Sequence, residues 1–250
     1  PLPELTIQYV DWAIWQRKYL QEEVLESQLY YWKNQLANLP ILELPGDRTQ
    51  PAIATYQGAK HFFELPRHLS ESLKALSSSK RVTLFTLLLA AFKILLHKYT
   101  NQDDIVVGTD IANRNRSETE GLIGFLINTL VLRTDLSENP TFDQLLSRVR
   151  QTTLGAYDHQ DISFDKLVDT LNPERSLSQM TPLFQVKFDL QLAKLELLDL
   201  LDVKVSPLIF DNETTKFKLR FNIIETDEII KGLVEYSTDL FEAATIARMV

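Results

Sequence analysis

The chain has 250 residues, of which 44% are hydrophobic and 24% are charged, so its composition supports a sizeable buried core. Its formal net charge of -8 argues against a nucleic-acid partner, because nucleic-acid binding usually shows clustered lysine and arginine. It contains no cysteine, which excludes disulfide bonds, thiolate nucleophiles and cysteine-ligated metals. Both cytoplasmic and many secreted proteins lack cysteine, and we expect a cytoplasmic location.

The amino-terminal residues combine a helical region with a proline-rich linker. Aromatic and aliphatic residues recur at helical spacing over Tyr9–Leu36, which predicts one or two amphipathic helices. Prolines then recur over Leu39–Pro51, where they deny helical hydrogen bonds and favour extended backbone. We therefore expect helices and a linker over residues 1–52 and a folded lobe over residues 53–250.

The next region contains the most apolar segment of the chain. A strand is predicted over Ala59–Leu65, followed by a short helix from an N-cap at Ser70 to Ser79. Thr83 is the predicted N-cap of an apolar helix that ends near Thr100. Its apolar run is shorter than the roughly 20 residues that span a bilayer, so the pattern predicts a buried helix and no membrane association.

The remaining segments alternate between helical and extended patterns. In the central part we predict strands at Ile105–Ile111 and Ile127–Thr134, a polar loop at Asn113–Glu120, and helices at Phe142–Tyr157 and Phe164–Leu171, the second with Ser163 as N-cap. Four strands follow, at Phe184–Leu190, Val203–Ile209, Phe217–Glu225 and Ile229–Tyr236, and Asp239 is the predicted cap of a last helix. The order indicates a layered α/β sandwich in which helices flank a mixed sheet. Neither end carries a natural start or stop signal, so we expect truncation at both ends.

The residues alone provide no visible catalytic centre. The four histidines, His61, His68, His97 and His159, lack the spacing of a His-Glu-x-x-His zinc site, and no metal is expected. The chain has no Gly-x-Ser-x-Gly nucleophile elbow, and its closest glycine pair, Gly121-Leu-Ile-Gly, lacks the Lys-Ser/Thr of a phosphate loop. From its chemistry the chain is an α/β lobe with no assigned reaction.

Four segments in order resemble the signature motifs of nonribosomal peptide synthetase condensation domains. The first is Tyr9-Val-Asp-Trp-Ala-Ile-Trp-Gln-Arg, and the second and most specific is the stretch Arg114–Arg133 around Gly-Phe-Leu-Ile-Asn-Thr-Leu. The third, His159-Gln-Asp-Ile-Ser-Phe, carries Ser163 where the family usually has proline, and the fourth is Pro182-Leu-Phe-Gln-Val. Together they extend the resemblance over essentially the whole chain.

The resemblance implies a chloramphenicol acetyltransferase-like fold and a role in amide-bond formation between a carrier-bound thioester donor and an aminoacyl acceptor. A whole domain of this family is nearly twice as long and carries its His-His-x-x-x-Asp-Gly motif upstream. The resemblance implies that residues 1–52 are inter-lobe helices and linker and that residues 53–250 are the C-terminal lobe. The chain has no adjacent histidine pair, so we expect the isolated chain to be inactive. The residues of the second motif are most similar to those of the subtype that joins an L-configured donor to an L-configured acceptor.

The resemblance also implies partners and alternatives. Expected partners are the upstream and downstream peptidyl carrier domains, an adjacent adenylation domain and the missing N-terminal lobe. No cofactor is expected on the chain itself, because phosphopantetheine is carried by the carrier domains. Two alternatives stay open: an epimerisation domain of the same fold, and a noncatalytic module for carrier docking or scaffolding.

The resemblance singles out residues for two kinds of role. Asn128, Arg114, Arg116, Phe184 and Gln185 are candidate contacts to a substrate tunnel or a pantetheine arm. Each also has a structural interpretation, as a backbone-satisfying amide, solvated charges or core residues. A second set, for which we expect a structural role in packing and helix joints, consists of His159, Gln160, Asp161, Trp12 and Trp15.

Overall fold

A computed structural model describes residues 4–171, 181–192 and 212–250. The helices are α1 (Tyr9–Tyr19), α2 (Glu22–Gln35), α3 (Arg67–Ser79), α4 (Leu84–Thr100), α5 (Ser117–Glu120), α6 (Phe142–Asp158), α7 (Phe164–Leu171) and α8 (Ala243–Met249). The strands are β1 (Gly58–Glu64), β2 (Asp104–Ile111), β3 (Asn128–Asp135), β4 (Val186–Leu192), β5 (Leu219–Glu225) and β6 (Ile230–Ser237).

The six described strands form one mixed sheet in the order β1-β6-β5-β4-β2-β3. Strand β4 runs parallel to β5 and to β2, and the other pairs are antiparallel. The β2–β4 contact is short, with a single register pair between Gly108 and Lys187. The predicted fold class, a mixed sheet flanked by helices, is confirmed.

One face of the sheet is covered by α4 and supports the main core. The ring of Phe92 lies 5.2 Å from that of Phe188 on β4 and 4.8 Å from that of Phe221 on β5. Leu87 and Phe92 of α4 are buried, as the apolar pattern predicts, and Thr83 caps the helix by accepting the N–H of Thr86. We call this face, which carries Phe188 and Phe221, the first face, and the opposite one the second face.

Several sequence-based details are wrong. Helix α3 begins at Arg67, so Ser70 is not its cap; its buried hydroxyl accepts the N–H of Ile230 instead. Asp239 does not cap the last helix, which begins at Ala243, and its carboxylate accepts hydrogen bonds from Thr55. These errors have one cause, since a polar side chain near a helix start can equally bind a distant segment.

Other boundaries shift by small amounts. The predicted polar loop contains the helical turn α5, and β4 and β5 each begin two residues later than predicted. The predicted strand Val203–Ile209 lies outside the described residues. In the described part of the chain, no single helix is long and apolar enough to cross a membrane; α3 and α4 reach the required length only as a pair bent by 107°.

Candidate functional site

Asn128 opens β3 and joins that strand to the start of α7. Its Nδ2 donates to the carbonyls of Gln160, at 2.9 Å, and Ile162, at 2.7 Å. Its Oδ1 accepts the backbone N–H groups of Thr129 and Phe164. Each polar atom of this buried amide is therefore used twice within the chain; a contact of Asn128 with a tunnel stays a prediction.

His159 ends α6 in the same joint. Its ring stacks on Tyr31 with centroids 4.0 Å apart, its Nδ1 lies 2.8 Å from the carbonyl of Gly155, and its own carbonyl accepts the indole N–H of Trp32. Gln160 contributes its carbonyl to Asn128, whereas Ser163, rather than Asp161, receives the N–H of Lys166. These contacts connect α6 to α2 and to β3; the structural role expected for this motif stays a prediction.

The two candidate arginines of the second motif are both engaged by their own surroundings. Arg114 donates to the carbonyls of Thr119 and Glu120, and so closes the loop around α5. The guanidinium of Arg116 lies 4.1 Å from the centroid of the Trp15 ring, a cation–π contact. Their proposed contact with a phosphate stays a prediction.

Trp12 and Trp15 anchor α1 on this loop. Trp12 packs with Leu122 and Leu126 in a small cluster separate from the main core. Trp15 stacks on Tyr19 at 4.8 Å and carries Arg116 on its ring. The structural role expected for both tryptophans stays a prediction.

Phe184 and Gln185 precede β4 and are buried. The ring of Phe184 lies over Gly108, where any Cβ would approach within 2.3 Å of it, so the close approach requires glycine. The Oε1 atom of buried Gln185 accepts the N–H of Leu42 and so holds the linker against β4. A contact of these two residues with a substrate channel stays a prediction.

The second face carries a charged band that motif comparison missed. Its first row, aligned by strand register, consists of Lys60 on β1, Glu235 on β6, Arg220 on β5 and Lys187 on β4. Its second row, one step along the strands, consists of Leu233 on β6, Asn222 on β5 and Asp189 on β4. The rows place cations beside oxygen acceptors.

One ion pair joins the two rows, and a second joins the first row to β2. Arg220 donates its Nε to Asp189 at 2.9 Å, and Lys187 binds Asp110 of β2. Asp189 also accepts the backbone N–H of Asp110 where the β2–β4 ladder is short. The alternation of polar and apolar residues in β4 was a usable signal for a polar face, but the partners depend on strand register, which the sequence does not reveal.

A cavity of about 620 Å³ opens over the first row. Lys60, Arg220 and Glu235 line it, together with Lys216 and Phe217 from the segment before β5. Among its described lining residues, three cations therefore face one carboxylate, on a chain whose formal net charge is -8. Arg220 is paired with Asp189 and Lys60 also has a partner, so much of this positive charge is already compensated.

A larger cavity, of about 700 Å³, lies between α2, α6 and β3, but its charged groups are paired. Arg133 binds Asp104 through two nitrogens, and Arg148 donates to the carbonyl of Asp135. Burial raises the pKa of Tyr31 to about 12, so this phenol stays protonated. These partners make the cavity a structural junction rather than a reactive site.

Exposed apolar side chains cluster near the second motif. Ile123, Phe125 and Ile127 are 92%, 79% and 54% exposed, and Val10 and Ile14 project from α1. Tyr9 connects the two groups, since its hydroxyl donates to the carbonyl of Phe125. We call Ile123, Phe125 and Ile127 the apolar loop surface. Contiguous exposed apolar groups of this kind are typical of interaction sites.

Comparisons with known proteins identify the family. The family model of the condensation domain matches residues 1–250. A linear gramicidin synthase of Brevibacillus parabrevis is 49% identical over 255 residues, which cover 100% of this chain but 5% of that protein. The chain thus spans a small fraction of its curated relatives' length.

Solved structures agree with this fold. The X-domain from teicoplanin biosynthesis superposes with a TM-score of 0.88 at 28% identity, covering 99% of this chain and 58% of that one. The epimerization domain from the third module of tyrocidine synthetase B has a TM-score of 0.76 at 18% identity, over 100% of this chain and 58% of its own, which supports the fold alone. Because the family model matches residues 1–250 and a peptide synthetase is 49% identical over the whole chain, the chain belongs to the condensation-domain family of nonribosomal peptide synthetases.

Proposed function

We propose that this chain forms the C-terminal lobe of a condensation domain and one wall of the site where an acceptor's amino group attacks a carrier-bound thioester. The observation that carries the proposal is the condensation-domain match over residues 1–250. Because the chain contains no adjacent histidine pair, the proton-accepting histidine comes from the N-terminal lobe. The contribution of this lobe is then to position two tethered substrates.

The apolar loop surface supports an N-terminal lobe as a direct partner. The matched single-domain structures extend well beyond the segment that this chain covers, which is 58% of the teicoplanin X-domain. Phe125, at 79% exposed, would lose its contact with water against a second lobe, with a gain of about 2 kcal/mol. The other proposed partners are the upstream and downstream peptidyl carrier domains, which bring phosphopantetheine, and an adjacent adenylation domain.

The test of the reaction compares the chain with the complete domain. Each protein is mixed with a donor and an acceptor loaded on carrier domains, and the amide product is followed by mass spectrometry. We expect product from the complete domain and none from the chain above a reaction without enzyme. Product from the chain alone, or an inactive complete domain with an intact upstream histidine pair, would contradict the proposal.

The test of the lobe contact uses two exposed aromatic residues. In the complete domain, Phe125→Ser should weaken the association of the two lobes and lower the melting temperature. Tyr30→Ser is the matched control, because Tyr30 is 72% exposed on α2 but lies outside the apolar loop surface. Equal melting temperatures for the two variants would exclude the loop as a lobe contact.

The complete domain and the loaded carrier domains also distinguish two alternative functions. An epimerisation domain would convert a carrier-bound L-aminoacyl group to its D form, which chiral analysis of the released amino acid detects. A docking module is favoured by one relative, since an X-domain has been solved in a complex with OxyB. A degenerate histidine pair upstream, together with an inactive complete domain, would support that module.

A further inference from the structure

Residues 4–19, which contain α1, and the loop over residues 112–127 pack on each other, and we call these two segments the α1–loop unit. The apolar centre of this unit, around Trp12, is separate from the main core. Across it, the guanidinium of Arg116 lies on the ring of Trp15. In the described parts of the chain, every hydrogen bond and ring contact made by a side chain of the unit stays within the unit.

The loop of this unit leaves the sheet and returns to it at one point. Ile111 of β2 and Asn128 of β3 are register partners, so the two ends of the loop lie side by side. The loop is closed internally by Arg114, which donates to the carbonyls of Thr119 and Glu120. Compact loops whose ends meet and whose side chains pack on themselves are frequently functional. The unit is therefore joined to the rest of the lobe at the end of α1 and at this point of the sheet.

The connections of the unit have the backbone geometry of hinges. Only Leu20 and Gln21 separate α1 from α2, and Glu22, the first residue of α2, has a φ of 45°. Asn113, at the start of the loop, has a φ of 52°. Left-handed backbone costs free energy in residues other than glycine, so a rotation at these positions releases strain. Asn128, at the other end of the loop, is held by four hydrogen bonds and stays with the sheet.

The outer surface of the unit is apolar. It consists of the apolar loop surface and the exposed side chains Val10 and Ile14 of α1, and the hydrogen bond from Tyr9 to Phe125 joins the two segments. A second lobe of the same domain fits this surface, because this chain covers only 58% of the solved teicoplanin X-domain. A unit that is hinged to one body and presents apolar surface to another should move with the second body.

We propose, building on the proposed function, that the α1–loop unit moves with the N-terminal lobe and rotates against the rest of this lobe about Glu22 and Asn113. The boundary between the moving bodies then lies between α1 and α2, rather than near residue 52. When the N-terminal lobe moves, Arg114 and Arg116 of the second motif shift relative to Asn128. The position of this motif is thus controlled by how the N-terminal lobe is seated.

The experiment measures distances between pairs of spin labels by double electron–electron resonance. The chain contains no cysteine, so labels attach only at introduced cysteines, and any cysteine of the N-terminal lobe is replaced by serine in the complete domain. Ser117→Cys with Arg150→Cys measures across the hinge, and Lys98→Cys with Arg150→Cys measures within the rest of the lobe; all three positions are exposed. In the chain alone, the first distance distribution should be about twofold wider than the second, and in the complete domain the two widths should be equal.

Variants of the complete domain test whether the outer surface holds the unit. Phe125→Ser should restore the wide distribution across the hinge, and Val10→Ser repeats this test from α1. Tyr30→Ser is the matched control, because Tyr30 is exposed on α2, and it should change neither width. Circular dichroism checks that each variant is folded.

Two results would overturn the hinged unit: equal widths for the two label pairs in the chain alone, or a distribution across the hinge that stays narrow in both surface variants. Condensation by the complete domain is assayed separately. Product formation together with either result rejects the hinged unit and leaves the proposed function intact. The expected widths in a domain that forms no product would instead support the hinge and contradict the proposed reaction.

Discussion

Lys93 gives the chain a predictable dependence of stability on pH. This lysine of α4 is fully buried, and its Nζ donates to the carbonyls of Ile105, at 3.0 Å, and Leu132, at 2.7 Å. Burial lowers its pKa from 10.5 to about 7, although Asp104 acts in the opposite direction. The folded chain thus holds a neutral amine above pH 7, which an unfolded chain would protonate.

The sign of the effect follows from proton binding. Between pH 7 and about 10.5 the unfolded chain binds more protons than the folded one, so stability rises with pH. The slope reaches about 1.4 kcal/mol per pH unit, and because Lys93 is half titrated at pH 7, the gain from pH 7 to pH 9 is about 2 kcal/mol. Burial also lowers the pKa of Lys218, which adds in the same direction.

The assay is urea denaturation at pH 7, 8 and 9, followed by circular dichroism. Burial raises the pKa values of Tyr31 and Tyr157, so above about pH 10 these two residues make stability fall with pH. The measurements end at pH 9 to stay below that range. Lys93→Met should remove about 2 kcal/mol of pH dependence, whereas Lys98→Met, on the exposed side of α4, should retain it. Equal slopes for the two variants would refute a neutral buried amine.

Three further outcomes are expected from local geometry. Asn128→Ala should lower the free energy of unfolding by about 2 to 3 kcal/mol in urea denaturation, because it leaves buried backbone groups unpaired; a change below about 0.5 kcal/mol would contradict this. Gly155→Ala should destabilise α6, since its Cβ would lie 2.7 Å from the hydroxyl of Tyr31. Adding Tyr31→Phe should restore part of the lost stability, because it removes the hydroxyl but leaves ring atoms 3.1 and 3.2 Å from that Cβ; no recovery at all would contradict this cause. Asp47 accepts hydrogen bonds from the backbone N–H of Glu242 and the hydroxyl of Thr245, which lower its pKa. The stability that Asp47 contributes is therefore lost as pH falls through the acidic range. Asp47→Asn should make the melting temperature depend less on pH between pH 5 and pH 3, and an unchanged pH profile would contradict this.

The sequence predicts what depends on local periodicity. Helix α4 and strand β2 lie within one residue of their predicted limits, because an uninterrupted apolar pattern and a Thr83 cap determine them locally. The resemblance of four motifs predicts the fold class for a different reason, since it compares whole chains. Ser70 and Asp239 were misassigned because the partner that binds each side chain is far away in the chain.

The candidate site was less predictable than the fold. Lys93 reads as a polar interruption of an apolar helix, and its burial depends on two carbonyls that β2 and β3 bring beneath it. Lys187 and Asp189 read as the polar side of one strand, and their partners lie on β2 and β5. Such pairs depend on strand order and register, which no single segment encodes.

The distribution of satisfied polar groups separates structural from functional surfaces. Asn128 and His159 belong to the motifs that resemble those of the family, and both bind backbone within the chain: Asn128 through both polar atoms of its amide and His159 through Nδ1. Four buried side-chain atoms of the described residues have no partner, and two of them, Asn222 Oδ1 and Ser237 Oγ, lie on the second face of the sheet. Both atoms have almost no accessible surface, so an external group could reach them only if the chain around them moved. A ligand-bound structure in which the backbone is unchanged should therefore leave these two atoms, and the hydrogen bonds of Asn128, as they are.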